Sequence, residues 1–214
     1  MSLRLPERRL SIVCLAAHPD DIEIACGGTL LWLARRRDLV ALSLVMTGSA
    51  ERQEEARRAT AAFLPSARLV FGGPPDEFRD GYLPEQWGDV KRRLHQLAGS
   101  EPNPDLVFAP RPDDAHQDHR LLGRLAPTVW RNSLILHYEI PKWDGDVGRP
   151  NVYIPLDDDV ARTKVELLNA SYPSQHSRDW WDDELFLGFM RLRGMESKSR
   201  YAEAFVASKV VLTA

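Results

Sequence analysis

Residues 15–30 have the sequence LAAHPDDIEIACGGTL and decide the fold, because an apolar run meets a polar turn there. The run that ends at Ala17 is short and apolar, as in a buried strand. A histidine, a proline and two aspartates, at positions 18–21, interrupt it abruptly. The stretch therefore raises the question of why three titratable side chains stand at the end of a buried strand.

The alternation of apolar runs and amphipathic segments continues along the chain. Near-continuous apolar strands between helices indicate a parallel sheet covered on both faces. We therefore predict an α/β protein with a Rossmann-like, mostly parallel sheet and helices on both of its faces. The predicted strands are 10–17, 39–46, 67–73, 104–110, 133–140, 151–156 and 202–212, and the predicted helices are roughly 27–37, 51–64, 85–98, 118–130 and 157–170, followed by a tryptophan-rich helical segment.

The composition is typical of a globular protein with a single core. Of the 214 residues, 43% are hydrophobic and 28% are charged, and no repeat or linker divides the chain. We therefore predict one domain over residues 1–214. The formal net charge of -3 supplies no basic field, so nucleic acid is not expected as a partner. A homo-oligomer is possible, because the sequence does not define the oligomeric state.

The first residues, MSLRLPERRLSIVCLAAH, resemble a signal peptide in their arginines, apolar stretch and small residues. The apolar stretch is at the short limit for such a peptide, and cleavage after the alanines would remove the strand that carries His18. We therefore expect a cytoplasmic protein. No run approaches the roughly 18 apolar residues of a transmembrane helix, so no membrane span is expected.

The two cysteines are too few for a disulfide framework. Cys14 lies inside an apolar run and is expected to pack in the core. Cys26 stands close to the two aspartates and could be a thiolate ligand of a metal. Packing is favoured, since zinc–thiolate sites usually have a second cysteine nearby.

His18, Asp20 and Asp21 follow the first strand directly, where ligands bind in open parallel sheets. A tight turn can bring residues three apart to one side, so His18 and Asp21 could bind one metal while Asp20 serves as a base. The alternative is helix capping, in which one aspartate caps a helix that begins near Gly27. Capping does not account for the histidine, and from this motif alone the two readings are about even.

A second cluster, RPDDAHQDHR at 111–120, follows the fourth predicted strand. His116 and His119 are three apart and therefore neighbours on one helical turn. Asp118 lies between them, and two further aspartates precede them. With His18 and Asp21, a histidine from this cluster completes two histidines and one carboxylate with an open fourth position, the pattern of catalytic zinc.

The two motifs together resemble the PIG-L/LmbE-like family of zinc-dependent N-acetylglucosaminyl deacetylases. The resemblance rests on AHPDD at 17–21 followed by GGTL, and on HQDH at 116–119. Weaker matches are ERQEEARRA at 51–59, YPSQ at 172–175 and YAEAF at 201–205. The resemblance covers most of the chain and implies a zinc-dependent hydrolase that removes an acetyl group from an amino sugar or a conjugate containing N-acetylglucosamine.

The resemblance also implies roles for individual residues. His18, Asp21 and His119 correspond to the zinc ligands of the family. Asp20 is similar to the general base. The remaining expected roles are stabilisation of the tetrahedral intermediate by His116, orientation of that histidine by Asp118, and substrate contact by Arg52.

Several alternatives stay open. Histidine and carboxylate ligands also suit iron(II) or cobalt, and the substrate could be another small amide. A nucleotide-binding Rossmann-like protein is a different class, but the G-x-G-x-x-G fingerprint is missing. Trp143, Trp180 and Trp181 could stack on a sugar or an aglycone, or pack in the core. His176 could line the pocket, although a surface position is favoured, and Tyr138 is a candidate for a tyrosine near the site.

Overall fold

The computed structural model describes residues 4–100 and 103–211. Its seven strands form one sheet in the order β3-β2-β1-β4-β5-β7-β6. The strands are β1 Leu10–Ala16, β2 Leu39–Val45, β3 Ala67–Phe71, β4 Leu106–Pro110, β5 Leu134–Tyr138, β6 Val152–Leu156 and β7 Tyr201–Val206. The helices are α1 Asp21–Ala34, α2 Ala50–Phe63, α3 Trp87–Ser100, α4 Gln117–Val129, α5 Asp158–Ser171 and α6 Asp183–Ser197.

The first five strands are parallel, and β1 lies between β2 and β4. The order of the sheet reverses at β1, so a crevice opens beyond the carboxyl ends of β1 and β4. The two polar motifs of the sequence follow these two strands. The topology therefore brings residues about one hundred positions apart to the same edge.

Two strands depart from the parallel arrangement. β7 runs antiparallel to β5, and β6 runs antiparallel to β7 at the edge of the sheet. The predicted closing strand over 202–212 is confirmed only as far as Val206. Its last residue, Leu212, lies outside the described residues. The mostly parallel sheet of the sequence analysis is thus confirmed, with an antiparallel addition on one side.

The core consists of two layers, one on each face of the sheet. Alternate residues of β1 face opposite sides, with Ile12 and Cys14 in one layer and Val13 and Leu15 in the other. Apolar residues of α1, α2, α5 and α6 join the first layer, and those of α3 and α4 join the second. Because β1 is buried on both faces, its carboxyl end is held by packing from two sides.

Helix α1 begins at Asp21, six residues before the start that the sequence analysis placed near Gly27. The glycines therefore lie inside the helix and permit close packing. A Cβ added at Gly28 would lie 2.4 Å from Leu156 Cδ1, which is closer than real side chains approach. Cys26 is fully buried in the core, so packing rather than metal ligation accounts for it. Among the described residues, no helix is long and apolar enough to cross a bilayer.

Candidate active site

The turn after β1 is unusual in its backbone. Asp20 has φ 108° and ψ −25°, in the left-handed region, where a residue other than glycine costs about 1–3 kcal/mol. Asp21 opens α1, and its Oδ2 accepts the backbone N–H groups of Ala17 and His18, each at 2.9 Å. Neither aspartate follows the capping alternative, since Asp20 makes no side-chain capping bond and Asp21 bonds backwards to the strand.

The turn after β4 places the second motif. His116 is the N-cap of α4, and its Nδ1 accepts the backbone N–H of Asp118 at 3.3 Å. Because Nδ1 accepts a hydrogen bond, the neutral ring carries its proton on Nε2. His119 lies in the first turn of the helix and is 3% exposed. The carboxylate of Asp114 receives the N–H of His116 at 2.8 Å and so connects the turn to the helix.

Three side-chain atoms from the two motifs converge. His18 Nδ1 lies 3.1 Å from His119 Nε2 and 3.6 Å from Asp21 Oδ1. His119 Nε2 lies 3.3 Å from Asp21 Oδ1. Ligands about 2.0–2.2 Å from a tetrahedral zinc are separated by roughly 3.3–3.6 Å, so these three atoms fit one zinc ion with a fourth position open.

The outer nitrogens of both histidines face carboxylates. His18 Nε2 lies 3.1 Å from Asp80 Oδ1 and 3.3 Å from Asp118 Oδ2. His119 Nδ1 lies 3.2 Å from Asp114 Oδ2, which is an ion-pair distance although the geometry is not that of a hydrogen bond. A carboxylate behind the ring is the usual support of a metal-ligating histidine, because it orients the ring and raises its basicity. This arrangement is a second, independent indication of a metal centre.

A different group of donor atoms could also hold an ion. His18, His116 and His119 each offer one donor atom, and these three atoms lie within 4.8 Å of one another. The His116 ring centroid is 4.7 Å from that of His18 and 4.8 Å from that of His119. This set would leave Asp21 out, although Asp21 Oδ1 is within 3.6 Å of both ring nitrogens. The set with Asp21 has the closer atoms and the supporting carboxylates.

The electrostatics of the cluster favour positive charge at its centre. Burial opposes ionisation of His18, but Asp21, Asp118 and Asp80 raise its pKa well above the usual value. Burial likewise opposes ionisation of His119, and the same Asp21 leads the carboxylates that raise its pKa to about 9. The pKa of Asp21 itself is held well below its usual range by the two histidines, against the effect of burial. A divalent cation at the centre of the cluster would balance the negative charge of these carboxylates.

Asp20 and Arg52 form a separate pair beside this cluster. Arg52 Nη2 donates to Asp20 Oδ2 at 2.7 Å and also contacts the backbone oxygen of Pro19. Arg52 Nη1 donates to Glu55 Oε2 at 2.5 Å and to Ser174 Oγ at 3.2 Å. Burial raises the pKa of Asp20 to about 6, although Arg52 lowers it. The substrate contact expected for Arg52 stays a prediction, and its main partner in the structure is Asp20.

Asp118 has other contacts than the sequence analysis expected. Its carboxylate accepts the backbone N–H groups of Gly81 at 2.7 Å and Leu83 at 3.0 Å, and it lies 3.3 Å from His18 Nε2. These contacts fasten the loop after β3 to the site and support His18 rather than His116. Orientation of His116 by the carboxylate of Asp118 therefore stays a prediction. In the structure, the backbone of Asp118 holds that ring.

The cleft around these residues has a volume of about 470 Å³. Asp20, Arg52 and His116 line it together with the convergent ligand atoms, and Trp143 and Trp180 form part of its wall. The other aromatic candidates lie elsewhere: Trp181 packs against the core, His176 is on the surface, and the buried Tyr138 donates its hydroxyl to Leu15 O at 2.9 Å.

The sequence analysis missed one member of the site. Asp80 reaches His18 from the loop after β3, which has no metal-binding pattern of its own. Asp114 was noted only as an acid near the second motif, and its pairing with His119 was not foreseen. Asp114 lies two residues before His116 and close to the pair His116 and His119, and this proximity could have indicated that it supports one of the two histidines. For Asp80 the sequence offers no such signal, because only the fold brings its loop to the crevice.

Comparison with known proteins identifies the family of the chain. The family model of PIG-L, described as GlcNAc-PI de-N-acetylase, matches residues 13–130. The uncharacterized deacetylase YaiS of Escherichia coli (strain K12) is 28% identical over an alignment of 173 residues that covers 75% of this chain and 90% of YaiS. Because the matched segment exceeds half of the chain and contains both motifs, the chain belongs to the PIG-L family.

Solved structures share the architecture. N,N'-diacetylchitobiose deacetylase from Pyrococcus horikoshii superposes with a TM-score of 0.69 and 22% identity, covering 92% of this chain and 83% of its own. GalB, the 4-carboxy-2-hydroxymuconate hydratase from Pseudomonas putida KT2440, has a TM-score of 0.73 and 16% identity, with 96% and 98% coverage. At these identities the likenesses show the fold alone. The predicted family and fold class are therefore confirmed. Membership of the family also confirms the predicted class of enzyme, a de-N-acetylase.

Proposed function

We propose that this chain is a zinc-dependent hydrolase that removes the N-acetyl group of an amino sugar or of a conjugate containing N-acetylglucosamine. The observation that carries the proposal is the convergence of His18 Nδ1, Asp21 Oδ1 and His119 Nε2 within 3.1–3.6 Å, with carboxylates behind both rings. Three protein ligands and one open position are typical of catalytic rather than structural zinc.

The remaining residues of the cleft fit the chemistry of amide hydrolysis. A bound zinc would supply a Lewis acid for the amide carbonyl and would make water a stronger acid. Asp20 lines the cleft and is not among the three convergent ligands, so it is free to take the proton of the attacking water. A base with a pKa near 6 accepts that proton and can still release it close to neutral pH.

His116 is positioned to stabilise the developing oxyanion. Its Nδ1 is occupied by the backbone N–H of Asp118, so the neutral ring offers Nε2–H as a donor. Burial lowers the pKa of His116, and the neighbouring rings of His18 and His119 lower it further. The proposed donor at this position is therefore a neutral imidazole. A hydrogen bond that strengthens as charge develops on the oxygen lowers the barrier.

Arg52 keeps Asp20 in place for this step. Its hydrogen bonds to the Asp20 carboxylate and the Pro19 carbonyl brace the turn whose backbone at Asp20 is strained. The proton taken by Asp20 leaves on the departing amine, either directly or through His116. The substrate is a small molecule that places an acetamido group over the zinc position.

The substrate class and the metal are the finer parts of the proposal. Iron(II) or cobalt would fit the same ligands, and another small N-acylated amide is the runner-up substrate. A nucleotide-binding role is less favoured, since carboxylates crowd the crevice where a phosphate would lie. A single domain over 1–214 and a cytoplasmic location also stay predictions.

The test is a screen of purified, metal-analysed protein against N-acetylated amino sugars, with acetate as the measured product. We expect acetate release from at least one member and about one zinc per chain. Protein treated with a chelator is the control and should release acetate only after zinc is restored. No acetate from any member, together with thermal stabilisation by NAD or ATP, would instead favour the nucleotide-binding class.

A further inference from the structure

A second hollow adjoins the catalytic cleft and is not used by the mechanism. We call it the apolar groove: it lies between the segment 140–147 and helix α6, with a volume of about 290 Å³. Its lining includes Trp143, Val147, Leu185 and Leu192. Small-molecule sites usually have volumes of about 300–1,000 Å³, so the groove is close to the size of a ring or a short chain.

The groove exposes apolar side chains that a folded protein usually covers. Trp143 is 67% exposed, Val147 48% and Leu192 43%. Single exposed apolar residues are ordinary, whereas here three of them lie around one hollow. The two ionisable residues of the lining neutralise each other, because Lys142 Nζ lies 2.7 Å from Asp146 Oδ1. The groove therefore suits an uncharged, apolar ligand.

The groove and the cleft share a wall. Ile140, Lys142, Trp143 and Trp180 line both hollows. The rings of Trp143 and Trp180 meet edge to face, with centroids 6.3 Å apart. The two hollows are therefore neighbours, and three of the four residues that they share are apolar.

The wall is anchored in the core. Trp180 stacks against Trp181 at a centroid distance of 5.7 Å, and Trp181 meets the buried Phe186 at 5.3 Å. The indole N–H of Trp181 donates to Asn169 Oδ1 at 2.8 Å. Because Trp181 is fixed by packing and by this hydrogen bond, Trp180 has a rigid support. A rigid aromatic wall loses little side-chain entropy when a ligand packs on it.

From this geometry we infer that the apolar groove binds an apolar aglycone, aromatic or alkyl, attached to the anomeric carbon of the N-acetylated amino sugar. The inference rests on the proposed function. In such a sugar the anomeric carbon is bonded directly to the carbon that carries the acetamido group. An aglycone therefore leaves the sugar beside the reacting amide, and the wall of Trp143 and Trp180 is where the cleft borders the groove.

The test compares the methyl and phenyl β-glycosides of N-acetylglucosamine as substrates of the zinc-loaded protein. Burial of the phenyl ring should raise kcat/KM by about tenfold or more over the methyl glycoside. Leu192→Gln changes a residue that lines the groove and not the cleft. This variant should lose the preference for phenyl and keep the kcat/KM of the methyl glycoside. Val210→Gln, at a 50% exposed valine outside the groove, is the matched control.

Equal kcat/KM for the two glycosides, or a phenyl preference that survives in Leu192→Gln, would overturn the inference. Calorimetric titration of both glycosides into the same proteins separates this result from a failure of the proposed function. If neither glycoside releases acetate, tighter binding of the phenyl glycoside that is lost in Leu192→Gln still supports the groove. Equal affinity overturns it. So does a wild-type dimer that becomes monomeric in Leu192→Gln without any ligand preference, since a second copy would then occupy the groove.

Discussion

Two regions of this molecule bury charged side chains, and they do so in opposite ways. At the ends of β1 and β4, His18, Asp21 and His119 bring three ligand atoms together. Between α1, α5 and β7, Lys164 and Glu203 form an ion pair of 2.7 Å in which each residue is 3% exposed. Both regions pay for desolvation, but only the first one opens onto a large cleft.

The Lys164–Glu203 pair is satisfied within the protein. Glu203 accepts the backbone N–H groups of Gly28 at 2.8 Å and Thr29 at 2.7 Å, and Lys164 Nζ donates to Ile24 O at 2.6 Å. The pair therefore completes a stretch of α1, and the cavity that Lys164 and Glu203 help to line has a volume of only about 10 Å³. The ligand cluster instead opens onto a cavity of about 470 Å³. The comparison teaches that burial and charge alone do not mark a catalytic site, whereas convergence on an open position does.

The largest expected effect comes from removal of a ligand atom. His119→Ala should lose zinc and acetate release together, with activity reduced at least about 10³-fold, because Lewis-acid stabilisation is worth several kcal/mol. Metal analysis and acetate release are measured on the same preparation. His176→Ala, which changes an exposed histidine, is the control and should keep both. Normal zinc content in His119→Ala would contradict the ligand assignment.

Loss of the base should separate catalysis from metal binding. Asp20→Asn should lower kcat by about 10²–10⁴-fold, the usual contribution of general base catalysis, while zinc content stays near normal. Asp179→Asn is a matched control at an exposed aspartate. Full turnover in Asp20→Asn would show that another group takes the proton of the water.

Disruption of the Lys164–Glu203 ion pair should lower the stability of the protein rather than its activity. Glu203→Gln places an amide N–H₂ against N–H donors and leaves Lys164 without its counter-charge, so the unfolding free energy should fall by about 3–5 kcal/mol. Urea unfolding measures the change, and Glu166→Gln on the exposed side of α5 is the control. Acetate release per folded molecule should change little. A loss below about 1 kcal/mol would mean that the pair is not a stabilising element.

The smallest expected effect lies at a carboxylate far from the cleft. Asp105 Oδ2 accepts the backbone N–H of Ser11 at 2.9 Å, and the hydrogen bond from Arg8 leads the contacts that lower the pKa of Asp105. Asp105→Asn should cost about 1 kcal/mol at pH 7 through the bond to Ser11. A carboxylate whose folded-state pKa lies below its unfolded value stabilises the folded protein at pH values above the usual pKa of 3.8. This stabilisation is lost as the pH falls through the folded-state pKa. The difference between the proteins should therefore shrink below pH 4 in urea unfolding, and a constant difference would contradict the assignment.

The core of the site could be predicted because its two motifs are short and local. HPDD follows β1 and HQDH follows β4, so the spacing indicated that His18, Asp21 and one histidine of the second motif could share a metal, and the resemblance to the family pointed to His119. The parallel sheet then explained how His18 and His119 meet, since strand ends gather at one edge. The start of α1 was placed too late because glycines at 27 and 28 suggested a boundary, whereas close packing explains them, against Phe63 at Gly27 and against Leu156 at Gly28.

The supports of the site could not be predicted because they come from distant segments. Asp80 reaches His18 across 62 positions of chain, and Arg52 reaches Asp20 across 32. Neither pairing has a local pattern, since each depends on the path of a loop over the crevice. The apolar groove likewise depends on the packing of α6 beside the segment 140–147.

The sequence by itself determined the α/β class, the family and the chemistry of the ligands, because these follow from periodicity and from short motifs. Only the tertiary structure decided which atoms face the proposed metal position, which carboxylates lie behind the two histidines, and which buried charges form an ion pair away from the cleft. The physical reason is that a side chain's role depends on its neighbours in space. The strand at 10–16 is buried on both faces, and its carboxyl end therefore presents HPDD rigidly to residues one hundred positions away.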